Sequence, residues 1–449
     1  MVNAEILNEN ILAPILRSNL KEGIDIDNLF EDIQNKVIVT SKLEAVADIN
    51  QILPKIIYGD TLFLLEGYDQ ALVIHTKGWK ARAISEPEAA KVVRGPREGF
   101  SESIITNLSM LRRKIKNPNL KMKFKEIGTQ TLTSTCICYI EGLAMDSILK
   151  ELEKRLDGID IDGILDSGYI QELIRDEPFS PFETIGYSER PDAVAGKILE
   201  GRIALFVDGS PFVLTVPFVM VESVQSNEDY YNNYIFSSIN RFMRTLSAIL
   251  CVSIPAIYQA LTTFHQEMIP TPLIISISAS IQGVPFPTIF SMFAMLLIFD
   301  VLREAGTRMP APIGQAINIV GTLVLGQAAV DAKLVSAPIV IVTALTGILT
   351  LMNLTLIGPV IVIRFFLLFL SSFMGVYGYL FGLFIVIIHL MNMRSFGVPY
   401  MLSYSSAKNH NWQDVWIRAP WWTMTLRPKI IGARNLVRQK KQNIRGKQS

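Results

Sequence analysis

The pattern of hydrophobic and polar positions divides the chain into two parts. Residues 1–240 are rich in charged positions and are typical of soluble protein, whereas apolar runs dominate from about Phe242 to about Met393. Each run has roughly the 20 residues that a helix needs to cross a bilayer. We therefore predict a soluble α/β N-terminal half followed by a polytopic α-helical membrane domain, with apolar segments near residues 243–261, 286–302, 313–330, 337–352, 357–374 and 375–391.

A duplication runs through the N-terminal half. Lys55 and Lys197, Gly59 and Gly201, and Gly67 and Gly209 are each 142 positions apart, with similar residues between them. Each copy predicts a helix end, a strand, a turn opened by an acidic residue and glycine, and a return strand. A strand at 133–140 precedes the second copy, and its counterpart would fall before Met1. We expect two similar small α/β units, of which the first lacks its opening strand.

Charge then sets the expected boundaries and orientation. Met1–Lys21 has no signal peptide, and the tail is basic and free of acid between residues 427 and 447. Arg241 and Arg244 flank the first apolar segment, and basic residues near a span stay on the cytosolic side. Both termini are then cytosolic, which requires an even number of crossings: six, or four and a re-entrant pair. The expected domains are residues 1–118, 119–240 with a linker, 241–395 in the membrane, and a basic tail at 396–449, which could also touch membrane lipid.

One predicted membrane helix carries a polar stripe. It follows two prolines, and its polar or small residues recur three or four positions apart, as on one helix face. Polar groups within a bilayer are costly and usually face protein or water. These residues are candidates for a pore wall or a subunit seam: Gln315, Asn318, Thr322, Gly326 and Ala329.

Three charged clusters are candidates for coupling or docking. Their residues are Arg94, Arg97 and Glu98 in one loop, Glu189, Arg190 and Asp192 in a second, and Arg303 and Glu304 at a predicted helix end. The alternative for the first loop is a rigid turn into a helix that begins near Ser101 with a serine cap. For Arg364, within a long apolar run, we expect snorkelling at a boundary between two helices. Gly378 and Gly382, with Gly375 one turn earlier, permit close helix packing.

Signatures of catalysis are missing from the sequence. No phosphate-binding loop, dinucleotide fingerprint, zinc-protease motif or nucleophile elbow occurs. The four histidines are far apart, and the three cysteines have no zinc-site spacing. We predict no enzyme activity, cofactor, metal site or nucleic-acid partner. A channel or transporter subunit and a membrane-anchored sensor or scaffold both remain; the number of spans and the polar stripe favour transport.

Short motifs also follow one another along nearly the whole chain. They are Arg94-Gly-Pro-Arg-Glu-Gly-Phe100 with Asn107, Glu189-Arg-Pro-Asp192, Gly201-Arg202, Asp229-Tyr230-Tyr231, His265 with Ile269-Pro-Thr-Pro-Leu273, Arg303-Glu-Ala-Gly306, Pro312-Ile-Gly-Gln315, Gly326-Gln-Ala-Ala329 and Arg394-Ser-Phe-Gly-Val-Pro-Tyr400. With this set the chain resembles the A subunit of the GerA-type spore germinant receptors. One departure is that family members usually carry an opening strand and turn ahead of the first helix, whereas Met1 falls just past that point.

The resemblance implies a function and partners. The protein would lie in the spore inner membrane beside a permease-like B subunit that binds the nutrient and a lipoprotein C subunit. Its A subunits would form a homo-oligomeric ion channel, so that nutrient sensing leads to cation release. A related stage V sporulation A-type membrane protein shares these motifs, and it would aid ion release without sensing the nutrient itself.

Overall fold

The computed structural model describes residues 7–17, 30, 33, 43–57, 60–74, 76, 87, 92, 94–309, 324–401, 414–427, 435, 437 and 438. The chain forms two compact units. An α/β unit comprises residues 1–175, 185–217 and 424–449, and a mainly helical unit comprises residues 176–184 and 218–423. The sequence-based division placed the change from one part to the other at residues 240–241.

The first α/β repeat contains a small antiparallel sheet. Its three strands lie in the order β1-β3-β2, because β3 pairs with both neighbours. Apolar side chains from the N-terminal helix cover one face of this sheet. The elements are a π-helical turn (Asn8–Leu12), α1 (Ala13–Arg17), β1 (Leu43–Val46), α2 (Ile49–Ile57), β2 (Thr61–Phe63) and β3 (Ala71–Ile74).

The second repeat builds a larger sheet, with five antiparallel strands in the order β4-β5-β7-β8-β6. Helices α3 and α6 pack in one apolar core with β5 and β7. The elements are α3 (Ile104–Lys114), β4 (Leu120–Ile127), β5 (Thr133–Ile140), α4 (Asp146–Asp157), α5 (Ser167–Ile174), β6 (Gly186–Ser188), α6 (Pro191–Leu199), β7 (Ile203–Val207) and β8 (Val213–Val216).

The predicted duplication is confirmed by the strand register. Helix α2 at 49–57 and helix α6 at 191–199 are again 142 positions apart. Thr61 pairs with Ile74 as Ile203 pairs with Val216, at the same offset. Both turns hold a glycine in the left-handed region, with φ of +93° and +85° at the repeat-related glycines. A β-α-β-β motif is therefore built twice.

The surroundings of the two copies differ. Strand β5 covers the outer edge of β7, whereas no strand pairs with the outer edge of β2 among the described residues. Phe206, on β7, is 1% exposed, and its counterpart Leu64 is 71% exposed. In the described residues, the same β-α-β-β motif thus has a covering strand beside β7 in the second copy and none beside β2 in the first.

Helix α3 begins later than the sequence predicts. It starts at Ile104 rather than near Ser101, and the side chain of the preceding Ser103 makes no capping hydrogen bond. Asp208, in the turn of the second repeat, accepts a hydrogen bond from the Ile104 amide at 3.0 Å instead. A carboxylate stabilises a helix N-terminus well, but sequence spacing cannot reveal a cap from 104 positions away.

The helical unit contains more helices than the apolar runs indicate. The first predicted span begins earlier, at Tyr234, and a short helix follows it that was not predicted. The 313–323 part of another predicted segment lies outside the described residues. The elements are α7 (Tyr234–Thr263), α8 (Thr271–Ile281), α9 (Thr288–Arg308), the helical residues 324–331, α10 (Ala337–Leu351), α11 (Ile357–Asn392), and the hairpin of β9 (Arg394–Ser395) and β10 (Val398–Pro399).

Helix α11 is two helices that fold back on each other at Gly375. This residue has φ 61° and ψ −139°, which interrupts the helix. A Cβ on Gly382 would lie 2.7 Å from Leu367 Cδ2, although the two residues are 15 positions apart, and a Cβ on Gly378 would overlap the carbonyl oxygen of Leu370. The predicted division into 357–374 and 375–391 and the close packing at these glycines are both confirmed.

Candidate functional site

The helical unit buries polar side chains and exposes apolar ones. On α7 the exposed face holds residues such as Phe236, Phe242 and Leu246. A water-soluble helix shows the reverse pattern. The buried polar residues of α7 are Ser237, Arg241, Thr245, Ser247, Ser253, Gln259 and Thr262.

The same inversion recurs on α10 and α11. Threonines 343, 346 and 350 are buried on α10, while Ile341 and Ile348 are exposed. Across the unit, Ser253 of α7 receives a 3.0 Å hydrogen bond from Tyr379 of α11. Polar groups in this unit therefore meet one another between helices.

A buried ionic cluster lies at the start of α7. Arg241 is fully buried, and its Nη1 lies 2.7 Å from Asp414 Oδ1, while its Nε lies 3.3 Å from Asp229 Oδ2. Arg244 pairs with the other oxygen of Asp229. Arg241 and Arg244 share two aspartates here, so removing one aspartate would leave a buried charge unpaired.

This cluster also holds the segment 414–423 against α7. Tyr230 donates its hydroxyl to Asp414 Oδ2 at 2.7 Å, and Gln225 donates to the Asp414 carbonyl at 2.7 Å. Arg418 lies over the rings of Tyr230 and Trp421, at 5.9 and 5.2 Å from their centroids. Burial lowers the pKa of the Arg418 guanidinium.

A second ionic cluster joins α9 to α11. Arg364, fully buried on α11, donates to Asp300 on α9. Arg303 Nη1 lies 3.2 Å from Asp300 Oδ1. The predictions that Arg364 snorkels and marks a helix boundary are wrong: its partner lies on another helix, and the boundary is at Gly375.

His265 lies beside the fold-back of α11. Its Nδ1 is 3.5 Å from Glu267 Oε1, and its ring makes an edge contact with Tyr377 at a centroid distance of 6.0 Å. A Cβ on Gly375 would come within 2.9 Å of His265 Nε2. Glycine at this position therefore allows both the turn and the close approach of the imidazole.

The predicted polar stripe is described in part. Gln315, Asn318 and Thr322 lie outside the described residues. Gly326 is buried, and a Cβ there would lie 3.3 Å from Val340 Cγ1 on α10. Ala329 packs against an apolar cluster that includes Met292 and Val335. These two residues form a helix seam within one chain, and the pore-wall assignment stays a prediction.

The two docking loops of the α/β unit meet through backbone and side-chain bonds. Arg190 donates to the Pro96 carbonyl at 2.8 Å and to Asp192 Oδ2 at 2.9 Å. The Glu189 carbonyl accepts from the Phe100 amide at 2.8 Å. The loops therefore form one connected surface.

Other candidate residues of these clusters have local partners or face solvent. Arg94 and Arg97 are exposed. Partial burial opposes ionisation of Glu98, but bonds from Arg113 and Lys114 outweigh it and hold the pKa of this carboxyl below its ordinary value. Glu304 pairs with Arg308 at the exposed end of α9. Among the described residues, no three His, Cys, Asp or Glu side chains are grouped to hold a metal ion.

Sequence reasoning missed the partners within the helical unit. It used Arg241 and Arg244 only as an orientation signal, and it did not single out Asp414. The available signal was the motif Asp229-Tyr230-Tyr231, which places an acid shortly before the two arginines. Nothing in the sequence indicated that Asp414 returns to the same place.

Comparisons with known proteins find similar sequences along nearly the whole chain. The family described as Bacillus/Clostridium GerA spore germination protein matches residues 1–430. Spore germination protein KA of Bacillus subtilis (strain 168) is 40% identical over 443 residues, which cover 98% of this chain and 81% of that protein. The uncharacterized membrane protein YfkQ of the same organism is 40% identical over 430 residues, covering 95% of this chain and 83% of YfkQ.

A solved structure is also similar. It is the crystal structure of the N-terminal domain of the A subunit of the Bacillus megaterium spore germinant receptor GerK3, at 36% sequence identity. The match covers 49% of this chain and 80% of that one, with a TM-score of 0.37.

Proposed function

The chain belongs to the GerA family of spore germination proteins, and from this premise we propose that it is a non-enzymatic membrane subunit of a nutrient-germinant receptor. In this proposal it acts with a permease-like B subunit and a lipoprotein C subunit in the spore inner membrane. Copies of the chain form an oligomeric channel that releases cations after the nutrient binds. Both termini lie on the spore core side.

The observation that carries the membrane part is the inverted polarity of the helical unit. Polar side chains between helices and apolar side chains outside suit a lipid environment, where buried polar groups bond to one another. By length and composition, Tyr234–Thr263 and Leu354–Asn392 are candidate spans. The relative YfkQ is also named a membrane protein.

The fold-back at Gly375 refines this topology. Residues 357–374 form a helix of about 27 Å at 1.5 Å per residue, close to the roughly 30 Å of a bilayer core. The second half, which ends at Asn392, has nearly the same length. In the proposed topology α11 crosses the membrane twice, so it begins and ends on the same side.

The proposal of a conducting path rests on the polar face predicted at 313–330. The experiment introduces leucine at Gln315, Asn318 and Thr322 and follows cation release from spores given a nutrient mixture, with an ion-selective electrode. Control spores carry leucine at Ala316 and Val320, which lie off the predicted face. We expect the first set to lose release and the controls to keep it.

The alternatives give different results in the same experiment. Unchanged release in both sets would refute the conducting stripe and favour a membrane-anchored scaffold. Cysteines placed one at a time along 313–330 provide a second measurement, because a water-facing stripe reacts with a soluble thiol reagent at helical period. A sporulation paralogue would instead leave the nutrient response intact when the gene is deleted.

A further inference from the structure

Arg364 has more hydrogen-bond donors than its surroundings use. The guanidinium carries five N–H groups. Its Nη2 serves Asp300, whereas Nε and Nη1 have no partner in the part of the chain that the structure describes, and the side chain is fully buried. Leaving buried charged donors unpaired is costly, so a further hydrogen-bond acceptor would stabilise this site.

The charges of this cluster are also unbalanced. Arg303 and Arg364 contribute two positive charges, and Asp300 contributes one negative charge. Glu304, the next acid along α9, is exposed and pairs with Arg308. A net positive charge buried between helices is unfavourable without a counter-charge.

The segment that directly follows α9 carries no acidic side chain that could serve as this counter-charge. Residues 310–323 of this segment contain no aspartate or glutamate. Next to Arg364, α11 carries apolar residues: the guanidinium lies 5.2 Å from the centroid of the Phe365 ring, and Leu368, one turn further along the helix, is fully buried. Water could satisfy the free N–H groups, but it would leave the charge uncompensated.

We propose that Asp300, Arg303 and Arg364 form a binding site for a small inorganic monovalent anion of the halide class. The anion accepts hydrogen bonds from Nε or Nη1 of Arg364 and neutralises the excess charge. Asp300 fixes the orientation of both arginines and limits the affinity, because its own charge opposes that of the anion. The site is independent of the proposed conduction function.

The test measures halide binding directly. The full chain, purified in detergent, is titrated with radiolabelled chloride, with gluconate replacing chloride at constant ionic strength. We expect one saturable chloride per chain and a rise in the thermal unfolding midpoint with chloride. Arg364→Met should lose both effects, and the matched control Arg308→Met, which removes the exposed arginine at the end of α9, should keep them.

A second variant separates an anion site from a simple ion pair. Asp300→Asn removes the opposing charge, so chloride should bind at least about tenfold more tightly. A wild-type chain that binds no chloride would overturn the proposal, whether or not the variants fold. Equal chloride binding by the wild type and by Arg364→Met would overturn it as well, by placing the halide elsewhere.

Discussion

The fold-back of α11 depends on glycine where its two halves touch, and Gly378→Ala tests that dependence. A Cβ at this position would overlap the Leu370 carbonyl oxygen, which belongs to the backbone and cannot rotate away. Gly358, near the start of the same helix, has no atom within 4 Å of an added Cβ. The two glycines therefore form a matched pair with opposite surroundings.

The size of the expected effect follows from two opposing contributions. Overpacking in a close-packed interior costs about 1–3 kcal/mol, and the rigid carbonyl places Gly378→Ala at the upper end. Replacing glycine by alanine in a helix returns up to about 1 kcal/mol. We expect Gly378→Ala to lower the free energy of unfolding by about 2 kcal/mol, and Gly358→Ala to leave it unchanged or raise it slightly.

The assay is reversible unfolding of the purified full chain in mixed detergent micelles, with an increasing fraction of denaturing detergent. Both variants are compared with the wild type under the same conditions. If Gly378→Ala costs no more than Gly358→Ala, the two halves of α11 do not pack at Gly378. The proposed double crossing would then lose its structural basis.

Three further predictions follow from described contacts, all measured as free energies of unfolding of the full chain. Asp229→Asn should cost about 3 kcal/mol because it leaves buried arginines without a counter-charge. Glu304→Gln, in an exposed pair, should cost under about 1 kcal/mol. Equal losses in the two variants would contradict the buried cluster. Phe206→Ala should cost about 3–5 kcal/mol and Leu64→Ala under about 1 kcal/mol. The reverse order would contradict the burial of Phe206 and the exposure of Leu64. Glu98→Gln should cost about 0.5–1 kcal/mol at pH 7. Because the folded pKa of Glu98 is lowered, the stabilisation that its carboxylate provides is complete above the unfolded pKa of about 4.3 and is lost as the pH falls through the folded pKa. A stability difference between the wild type and Glu98→Gln that persists in strong acid would contradict this assignment.

The sequence predicted those parts of the fold that repeat or that depend on local spacing. The offset of 142 positions between the two copies reappears in the strand register, because similar residues at similar spacing form the same motif. The apolar pattern divided the run at residues 374 and 375, and the glycines at helical spacing there predicted the close packing. Both features are encoded within short stretches of chain.

Contacts between distant segments were not predictable in this way. Arg364 was expected at an interface because a lone arginine in an apolar run usually snorkels, and its partner Asp300 lies 64 positions away. Asp208 as the cap of α3 and Asp414 as the partner of Arg241 are hidden for the same reason. Helical period shows which face a residue occupies, but not which helix meets that face.

The unequal cover of the two repeats has a consequence for local motion. Strands β2 and β7 pair with β3 and β8 in the same register but differ in their other neighbour among the described residues, so the chain contains its own reference for the effect of a covering strand. The amide protons of β7 that face β5 are protected by that strand, whereas no described strand protects those on the matching edge of β2. The ratio of the two exchange rates therefore reports the free energy that one neighbouring strand contributes.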